Sequence, residues 1–389
     1  MRSKIHIVAD AHIWGVESAF CELGGLDAKL TILENRDICR EALADADILL
    51  TRSATKVNAA LLQGTPVRFA ATATIGDDHY DKAWLDANGI IWANAAGSST
   101  GSVIEYMITS LLYLHQIGRI TLPETSIGIV GVGRIGSALA EVCEAIGMKV
   151  LRNDPPRARI EGENGFCRLD ELLDQADIIS VHTPMIGDGE DCTRHLIGTI
   201  QLNRFKGVGL FNAARGGCVD NKALLNWLEH DGSHFAAIDC WEHEPTPTIA
   251  LLQHPQMLIA TPHIAGHSLD GKAANTQYIY NALCRFLNVE PKWDMQQRLP
   301  PPPQVINIEA DGDKWQRLAA ATRQLYPLLD DHETMKSWAE ISSNELPHAF
   351  SCFRRHYPVR RAWQQSPVHF EPADTATTHL ADAFGMKLV

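Results

Sequence analysis

Short apolar runs alternate with helical patterns from the start of the chain. In the first hundred residues, "KIHIVAD" (4–10), "DILLTRS" (47–53) and "VRFAATAT" (67–74) predict strands. "DKAWLDANG" (81–89) predicts a helix that ends at a glycine. Because strands that alternate with helices usually form a parallel sheet covered by helices, we expect an α/β unit here.

A second α/β series begins near residue 98. Residues 98–118 place apolar side chains at helical spacing, and 268–288 predict one more helix. Ligands of such a doubly wound fold gather at the carboxyl ends of the strands. The predicted strands of this series, after the one in 126–130, are "DIISVHTP" (177–184), "GVGLFNAAR" (207–215), "FAAIDCWEHEP" (235–245) and "MLIATPH" (257–263).

Composition narrows the class of protein. The net charge of −13 argues against nucleic-acid binding driven by phosphate contacts. The start lacks the apolar core of a signal peptide, and no run approaches the length of a membrane span, so we expect no membrane partner. Nine cysteines without a CxxC pair are typical of free thiols, which favours a cytoplasmic location.

A glycine-rich turn follows the strand at 126–130. Gly131, Gly133 and Gly136 form G-x-G-x-x-G between a strand-like run and a helical pattern. These glycines permit the tight turn, the approach of backbone to a pyrophosphate, and close packing of helix on strand. Asp154 ends the next strand at the distance of a ribose-binding acid, which favours NAD over NADP. The alternative is a glycine-rich turn that binds no ligand.

Three strand ends carry candidates for chemistry. They are Arg215, the acids Asp239, Glu242 and Glu244, and His263. Each alone is compatible with a structural role, but together they suit hydride transfer from an alcohol carbon. A histidine takes the hydroxyl proton near neutral pH, and a neighbouring carboxylate orients it. An arginine polarises the developing carbonyl and binds a carboxylate.

His263 and His267 have the i, i+4 spacing of a metal-binding pair on a helix. Pro262 and Gly266 argue against a continuous helix there, and the apolar run before them predicts a strand that ends just before His263. We therefore expect no metal. The alternative for His267 is a structural role.

The motifs "GVGRIG", "ARGG", "DCWEHEP" and "TPHIAG", in this order, resemble the D-isomer-specific 2-hydroxyacid dehydrogenases over about the first three quarters of the chain. The resemblance implies an NAD-dependent enzyme in which Arg215 polarises the substrate and Glu244 supports His263 as the acid/base. It implies cofactor contacts from Gly131, Gly133, Arg134, Ile135, Gly136, Asp154, Thr183, Ala213, Ala214, Arg215, Asp239 and Gly266.

A further set of motifs, including "TRSATKVNAALL" and the late "RRHYPVRRAW", resembles one branch of this family over nearly the whole chain. That branch oxidises a small phosphorylated 2-hydroxy acid in vitamin B6 synthesis. The resemblance implies substrate contacts from Ser53 and Thr74, and we also expect contacts from Arg52 of the same turn as Ser53 and from His267. His267 replaces a tyrosine and Ser99 an asparagine of that branch. From the residues alone, the turn at 52–56 is either a phosphate cradle or a solvated basic turn.

The fold expected from these observations is α/β, with a Rossmann-type doubly wound NAD domain (98–267) inserted in a flavodoxin-like substrate domain (1–97 and 268–290). The last predicted part is a small α+β domain (291–389), whose first residues include the proline-rich linker at 298–304, and the resemblance implies that it forms a homodimer. Two alternatives stay open: another D-2-hydroxyacid dehydrogenase, such as one acting on 3-phosphoglycerate, or a non-enzymatic NAD-sensing protein of corepressor type.

Overall fold

The computed structural model describes residues 5–389 except 22, 24 and 310. The chain forms two compact units, one of residues 1–99 with 268–301 and one of residues 100–267 with 302–389. The last boundary lies within the run of prolines. The division into three domains stays a prediction. Within the described ranges, no helix is both long and apolar enough to cross a bilayer.

The elements of residues 5–99 include the predicted strands and helix. They are β1 (Ile5–Asp10), α1 (Val16–Phe20), β2 (Ala28–Leu33), β3 (Ile48–Thr51), α2 (Ala59–Leu62), β4 (Phe69–Thr72), α3 (Lys82–Ala87) and β5 (Ile91–Ala93).

Residues 100–267 contain the elements expected for the second series. They are α4 (Thr100–Gln116), β6 (Ile127–Val130), α5 (Arg134–Ile146), β7 (Val150–Asn153), α6 (Pro155–Glu161), α7 (Leu169–Gln175), β8 (Ile178–Val181), α8 (Thr199–Arg204), β9 (Gly209–Asn212), α9 (Asn221–His230), β10 (Phe235–Ile238), α10 (Ile249–Gln253) and β11 (Met257–Ala260).

The remaining elements follow the loop after β11. They are α11 (Leu269–Leu287), β12 (Ile306–Glu309), α12 (Lys314–Leu325), α13 (Leu328–Ser337), α14 (Leu346–Arg355), β13 (Pro367–Glu371), α15 (Thr375–Ala383) and β14 (Lys387–Leu388).

The first unit is built on a parallel sheet in the order β2-β1-β3-β4-β5. This is the 2-1-3-4-5 order of flavodoxin-like folds, as predicted. The strands β3 and β4 are buried along their whole length because apolar clusters cover both faces of the sheet. Helix α11 returns to this unit and buries Ile279, Tyr280 and Leu283 in one of those clusters.

The second unit contains a six-stranded parallel sheet in the order β11-β10-β9-β8-β6-β7. The chain winds outward in both directions from β6, which pairs with β7 on one side and β8 on the other. In such a doubly wound sheet the ligand site lies at this switch point, outside the carboxyl ends of the strands. The motifs predicted to carry the chemistry all follow these ends.

The C-terminal segment (302–389) belongs to the second unit. Its three strands run parallel in the order β12-β13-β14, with helices in the connections between them. This part is therefore α/β, and the predicted α+β arrangement is wrong. Helix α4 and helix α12 share one apolar cluster, and Glu105 of α4 forms a buried ion pair with Arg360. The segment is thus tied to the core of its unit.

Candidate active site

The glycine-rich turn connects β6 to α5. Gly131 has φ +89°, and a Cβ there would lie 2.8 Å from the backbone nitrogen of Thr183. A Cβ on Gly136 would lie 2.1 Å from the carbonyl oxygen of Gly131. A Cβ on Gly133 would meet nothing within 4 Å. The first and third glycines are therefore required by the fold, whereas the middle one leaves space beside the N-terminus of α5.

That space fits the pyrophosphate of a dinucleotide. Helix α5 has 13 residues, and its N-terminal N–H groups favour a negative charge. A side chain at residue 133 would not clash with the protein, but it would block the approach of a ligand from solvent to the backbone. A glycine at this position therefore suits direct contact between the backbone and a ligand. The predicted cofactor contacts Arg134 and Ile135 open the same helix, with Arg134 exposed.

Asp154 follows β7, and its side chain contacts the glycine-rich turn. Its Oδ2 accepts from the backbone N–H of Val132 at 2.8 Å, and its Oδ1 accepts from Arg157 N–H at 3.0 Å at the start of α6. The carboxylate therefore lies beside the turn that would hold the pyrophosphate. Its contact with a ribose stays a prediction.

His263 and Glu244 form an acid–base pair at the site. Nδ1 of His263 lies 2.8 Å from Oε2 of Glu244, and Oε1 of Glu244 accepts from Trp241 N–H at 2.7 Å. Burial opposes ionisation of Glu244, but the charge of His263 and these hydrogen bonds hold the pKa of its carboxyl below the usual value. An ionised Glu244 makes Nδ1 the donor, so Nε2 is the nitrogen that exchanges a proton.

Asp239 holds the backbone that carries His263. This buried carboxylate accepts from Thr261 Oγ1 at 2.7 Å, and from the backbone N–H groups of Ile264 and Ala265 at 2.8 and 3.0 Å. Burial raises the pKa of Asp239 against the opposing effects of His263 and these bonds. Its side chain therefore shapes the turn, and the predicted cofactor contact is not tested by this geometry.

Arg215 follows β9 in the "ARGG" turn. A Cβ on Gly216 would lie 1.8 Å from the carbonyl oxygen of Trp241, so this turn packs directly on the backbone that precedes Glu244. The guanidinium of Arg215 donates to the carbonyl of Ala214 at 2.7 Å. Ala213 and Ala214 are buried, and Thr183 lies half-buried after β8. The structure thus brings the arginine, the acid and the histidine to adjacent strand ends.

Cys240 lies among these groups and was not singled out from the sequence. Its thiol and the ligand atoms of Glu244 and His263 lie within 4.8 Å of one another, which is a possible metal-ligand set. Burial raises the pKa of the thiol well above its usual value, and Asp239 and Glu244 add to that effect. The 2.8 Å contact between Glu244 and His263 is that of a hydrogen-bonded acid–base pair, and the expected absence of a metal stays a prediction.

His263 and His267 lie in the loop between β11 and α11, outside any helix. The expectation that no continuous helix carries both histidines is confirmed, since the two rings do not share a helical face. His267 is half-buried, and its ring lies nearly perpendicular to that of Tyr357, at a centroid distance of 6.0 Å. Gly266 precedes it in the same turn. The predicted substrate contact of His267 stays a prediction.

The other predicted substrate contacts lie in the first unit. Arg52 and Ser53 form the turn after β3, where Ser53 is exposed and Arg52 donates to the carbonyl of His12 at 3.3 Å. Thr74 follows β4 and donates to the carbonyl of Gly76 at 2.8 Å. Thr55 of the same turn is buried, so its hydroxyl is turned away from the exposed face. Ser99 is buried at the end of this stretch.

Three residues of the C-terminal segment contact the loop of His263 and were missed from the sequence. His332 Nδ1 accepts from Ala260 N–H at 2.9 Å, and Arg354 Nε donates to the carbonyl of His263 at 3.2 Å. The third residue is Tyr357, whose ring meets that of His267. Arg354 and Tyr357 lie in the "RRHYPVRRAW" motif, which carried the resemblance to one branch of the family, whereas His332 lies outside it.

Comparisons with known proteins agree with this geometry. Residues 114–265 match the family model described as "D-isomer specific 2-hydroxyacid dehydrogenase, NAD binding domain". The erythronate-4-phosphate dehydrogenase of Pseudomonas fluorescens is 38% identical over 385 residues, covering 98% of this chain and 99% of the relative. That of Azotobacter vinelandii is 41% identical over 362 residues, covering 92% and 93%.

Among solved structures, the D-lactate dehydrogenase of Aquifex aeolicus, complexed with NAD and lactic acid, has a TM-score of 0.61 at 24% identity. It covers 72% of this chain and 95% of its own, which supports the α/β fold. The two erythronate-4-phosphate dehydrogenases extend over the C-terminal segment as well, because they cover nearly the whole chain. The chain belongs to the D-isomer specific 2-hydroxyacid dehydrogenase family and, within it, to the erythronate-4-phosphate dehydrogenases.

Proposed function

We propose that this protein oxidises 4-phospho-D-erythronate to 2-oxo-3-hydroxy-4-phosphobutanoate with NAD, a step of pyridoxal 5'-phosphate (vitamin B6) biosynthesis. The observation that carries the proposal is the Glu244–His263 contact of 2.8 Å, at the carboxyl edge of the same sheet whose β6–α5 turn fits a dinucleotide. The assignment of the substrate rests on the near full-length relatives named erythronate-4-phosphate dehydrogenase. We place the enzyme in the cytoplasm.

His263 is the general base of the proposed oxidation. With Nδ1 held by Glu244, Nε2 takes the proton of the C2 hydroxyl, and the negative charge of Glu244 stabilises the imidazolium that forms. Arg215 binds the carboxylate and polarises the C2 oxygen as its carbonyl develops. NAD, held by the glycine turn, would supply the acceptor for the hydride that leaves C2.

The groups predicted to hold the cofactor are the glycine turn and Asp154, with Thr183 after β8 and Asp239 after β10. Arg52, Ser53 and Thr74 are proposed substrate contacts on the first unit.

We further propose a homodimer formed through the C-terminal segment. In the described ranges, β12 and β14 each pair on one side only, which leaves two strand edges for a partner. Sedimentation of the purified protein at several concentrations tests the dimer.

The experiment for the reaction measures NADH formation at 340 nm with a scavenger of 2-oxo acids present. It compares 4-phospho-D-erythronate with 3-phospho-D-glycerate and D-lactate. We expect kcat/KM for the first to exceed the others by about tenfold or more. Turnover of only the other two acids would reject the substrate assignment, and NADH binding without turnover would favour the sensor alternative.

The matched variants are His263→Ala and His230→Ala. Loss of the general base is expected to lower kcat by about 10²–10⁴-fold while NADH binding is retained. His230 is exposed at the end of α9, so its replacement is expected to leave kcat unchanged. A near-normal kcat for His263→Ala across pH 6–9 would reject the assignment of the base.

A further inference from the structure

The loop that carries His263 is held by the C-terminal segment at three places. His332 contacts the end of β11 through Ala260, Arg354 contacts the backbone of His263, and Tyr357 contacts the ring of His267. These contacts lie at the strand end before the loop, within the loop and near its last residue. They come from the part of the chain that the resemblance implied to be a dimerisation domain.

The backbone of His263 needs such support. Its φ of +55° lies in the left-handed region, which a residue with a Cβ adopts only when its surroundings hold it there. On one side, His263 N–H donates to the carbonyl of Asp239 at 2.7 Å. On the other side, its carbonyl accepts from Arg354 Nε at 3.2 Å. Both peptide groups that flank the Cα of His263 are therefore fixed.

Arg354 is itself well placed for this task. It lies half-buried in the last turn of α14, and its guanidinium lies 5.8 Å from the ring centroid of the fully buried Phe350. Three residues later, the hydroxyl of Tyr357 donates to Asp331 at 2.6 Å and anchors the end of the helix. The guanidinium is also close enough to Glu244 to add, after burial and His263, to the effects on the pKa of that carboxyl.

We propose that Arg354 is a positioning residue for His263, through its hydrogen bond to the histidine's carbonyl, and that the C-terminal segment is part of the active site. A shift of about 1 Å in an acid/base group can cost about 100-fold in rate, so a contact that fixes its backbone affects turnover without touching substrate. The kinetic consequence rests on the proposed function, whereas the ordering of the loop does not.

The test compares Arg354→Met, Arg354→Lys and Arg355→Met in the full-length protein. Arg355 is exposed beside Arg354 on the same turn, so its variant controls for the loss of one positive charge. We expect Arg354→Met to lower kcat about 10–100-fold with KM changed less than about threefold. Arg354→Lys keeps a charged donor and should recover part of the loss. Arg355→Met should match the wild type.

Hydrogen–deuterium exchange of residues 261–268 provides a readout that does not need turnover. The backbone amides of Ile264 and Ala265 should exchange about threefold faster or more in Arg354→Met, and at the wild-type rate in Arg355→Met. The thermal midpoint of each variant is measured alongside. Faster exchange confined to this loop, at an unchanged midpoint, supports a positioning role.

Two results would overturn the proposal. One is a kcat within about twofold of the wild type together with unchanged exchange in the loop. The other is a loss of kcat that only follows a lowered thermal midpoint and is as large in Arg354→Lys as in Arg354→Met. If the wild type itself turned over none of the acids, the proposed function would fail, and the exchange measurement alone would still decide the role of Arg354.

Discussion

The carboxylate of Glu244 joins the ring of His263 to the backbone N–H of Trp241, with one oxygen on each. The side chain therefore fixes the position of the imidazole and the proton on Nδ1 at the same time. A glutamine can keep the shape of this link but not its charge, and its amide can present a donor to Nδ1. This arrangement gives a direct test of the acid–base pair.

Glu244→Gln is expected to lower kcat by about 10²–10⁴-fold, because the imidazolium loses its counter-charge and the ring its correct tautomer. Steady-state kinetics and NADH titration measure the effect, and the dissociation constant of NADH should change little. Glu242→Gln is the neighbouring control, since Glu242 contacts His195 and the N-terminus of α9 rather than His263. An equal loss in both variants would contradict the assignment.

The glycine turn predicts opposite effects at two positions. Gly133→Ala should weaken NADH binding about tenfold without loss of stability, because its Cβ meets no protein atom within 4 Å. Gly136→Ala should lower the free energy of unfolding by about 1–3 kcal/mol, because its Cβ would lie 2.1 Å from Gly131 O. Fluorescence titration and thermal melting separate the two. Unchanged NADH binding in Gly133→Ala would argue against the pyrophosphate site.

The buried ion pair of Glu105 and Arg360 predicts a large effect on stability. Glu105 also accepts from Trp363 N–H at 2.7 Å. Glu105→Gln should lower the free energy of unfolding by about 3–5 kcal/mol, because it leaves the buried guanidinium without its counter-charge. Denaturation in urea measures it. Glu333→Gln, on the exposed side of α13, should differ from the wild type by less than about 0.5 kcal/mol.

Asp331 predicts a dependence of stability on pH. Burial raises the pKa of its carboxyl to about 7, against the opposing effects of Tyr357 and Arg360. Between pH 4 and 7 the folded state therefore holds a proton that the unfolded state has lost, so stability falls as pH rises through this range and then levels off. Over this pH range the free energy of unfolding is expected to fall by about 2–4 kcal/mol because of Asp331.

Asp331→Asn should remove this slope, since asparagine does not titrate and can still accept from the hydroxyl of Tyr357. Urea denaturation at pH 5, 6, 7 and 8 gives the comparison, and the difference between variant and wild type should grow in favour of the variant until about pH 7. Parallel pH profiles for the two proteins would show that Asp331 is ionised throughout.

Much of the fold could be predicted because buried parallel strands are short apolar runs. The strands β3, β4, β6, β8, β9 and β10 are fully buried, and all of them lay in predicted runs. Strand β2 was missed because Ala28–Leu33 is only partly buried at the sheet edge, and its residues mix with polar ones. Strand β5 has three residues, which is too short for a pattern.

The acid–base pair could be predicted for a similar reason. Parallel strands bring their carboxyl ends to one edge, so Arg215, Glu244 and His263 were expected together. Arg354 could not be found in this way, because it lies 91 residues from His263 and on a helix that follows no strand of the same sheet. No periodicity in the sequence reports a contact between a helix and the carbonyl of a distant loop residue.

The ion pair between Glu105 and Arg360 also sets an order of events during synthesis. The two residues are separated by 255 positions, so a ribosome that adds 5–20 residues per second makes the arginine about 13–50 s after the glutamate. During that interval the strands of the nucleotide-binding sheet, β6 to β11, are made, while the nascent chain still lacks the residue that neutralises the carboxylate of Glu105 in α4. The core around this ion pair, and the full set of contacts of the C-terminal segment with the catalytic loop, can form only when the last tenth of the chain has emerged.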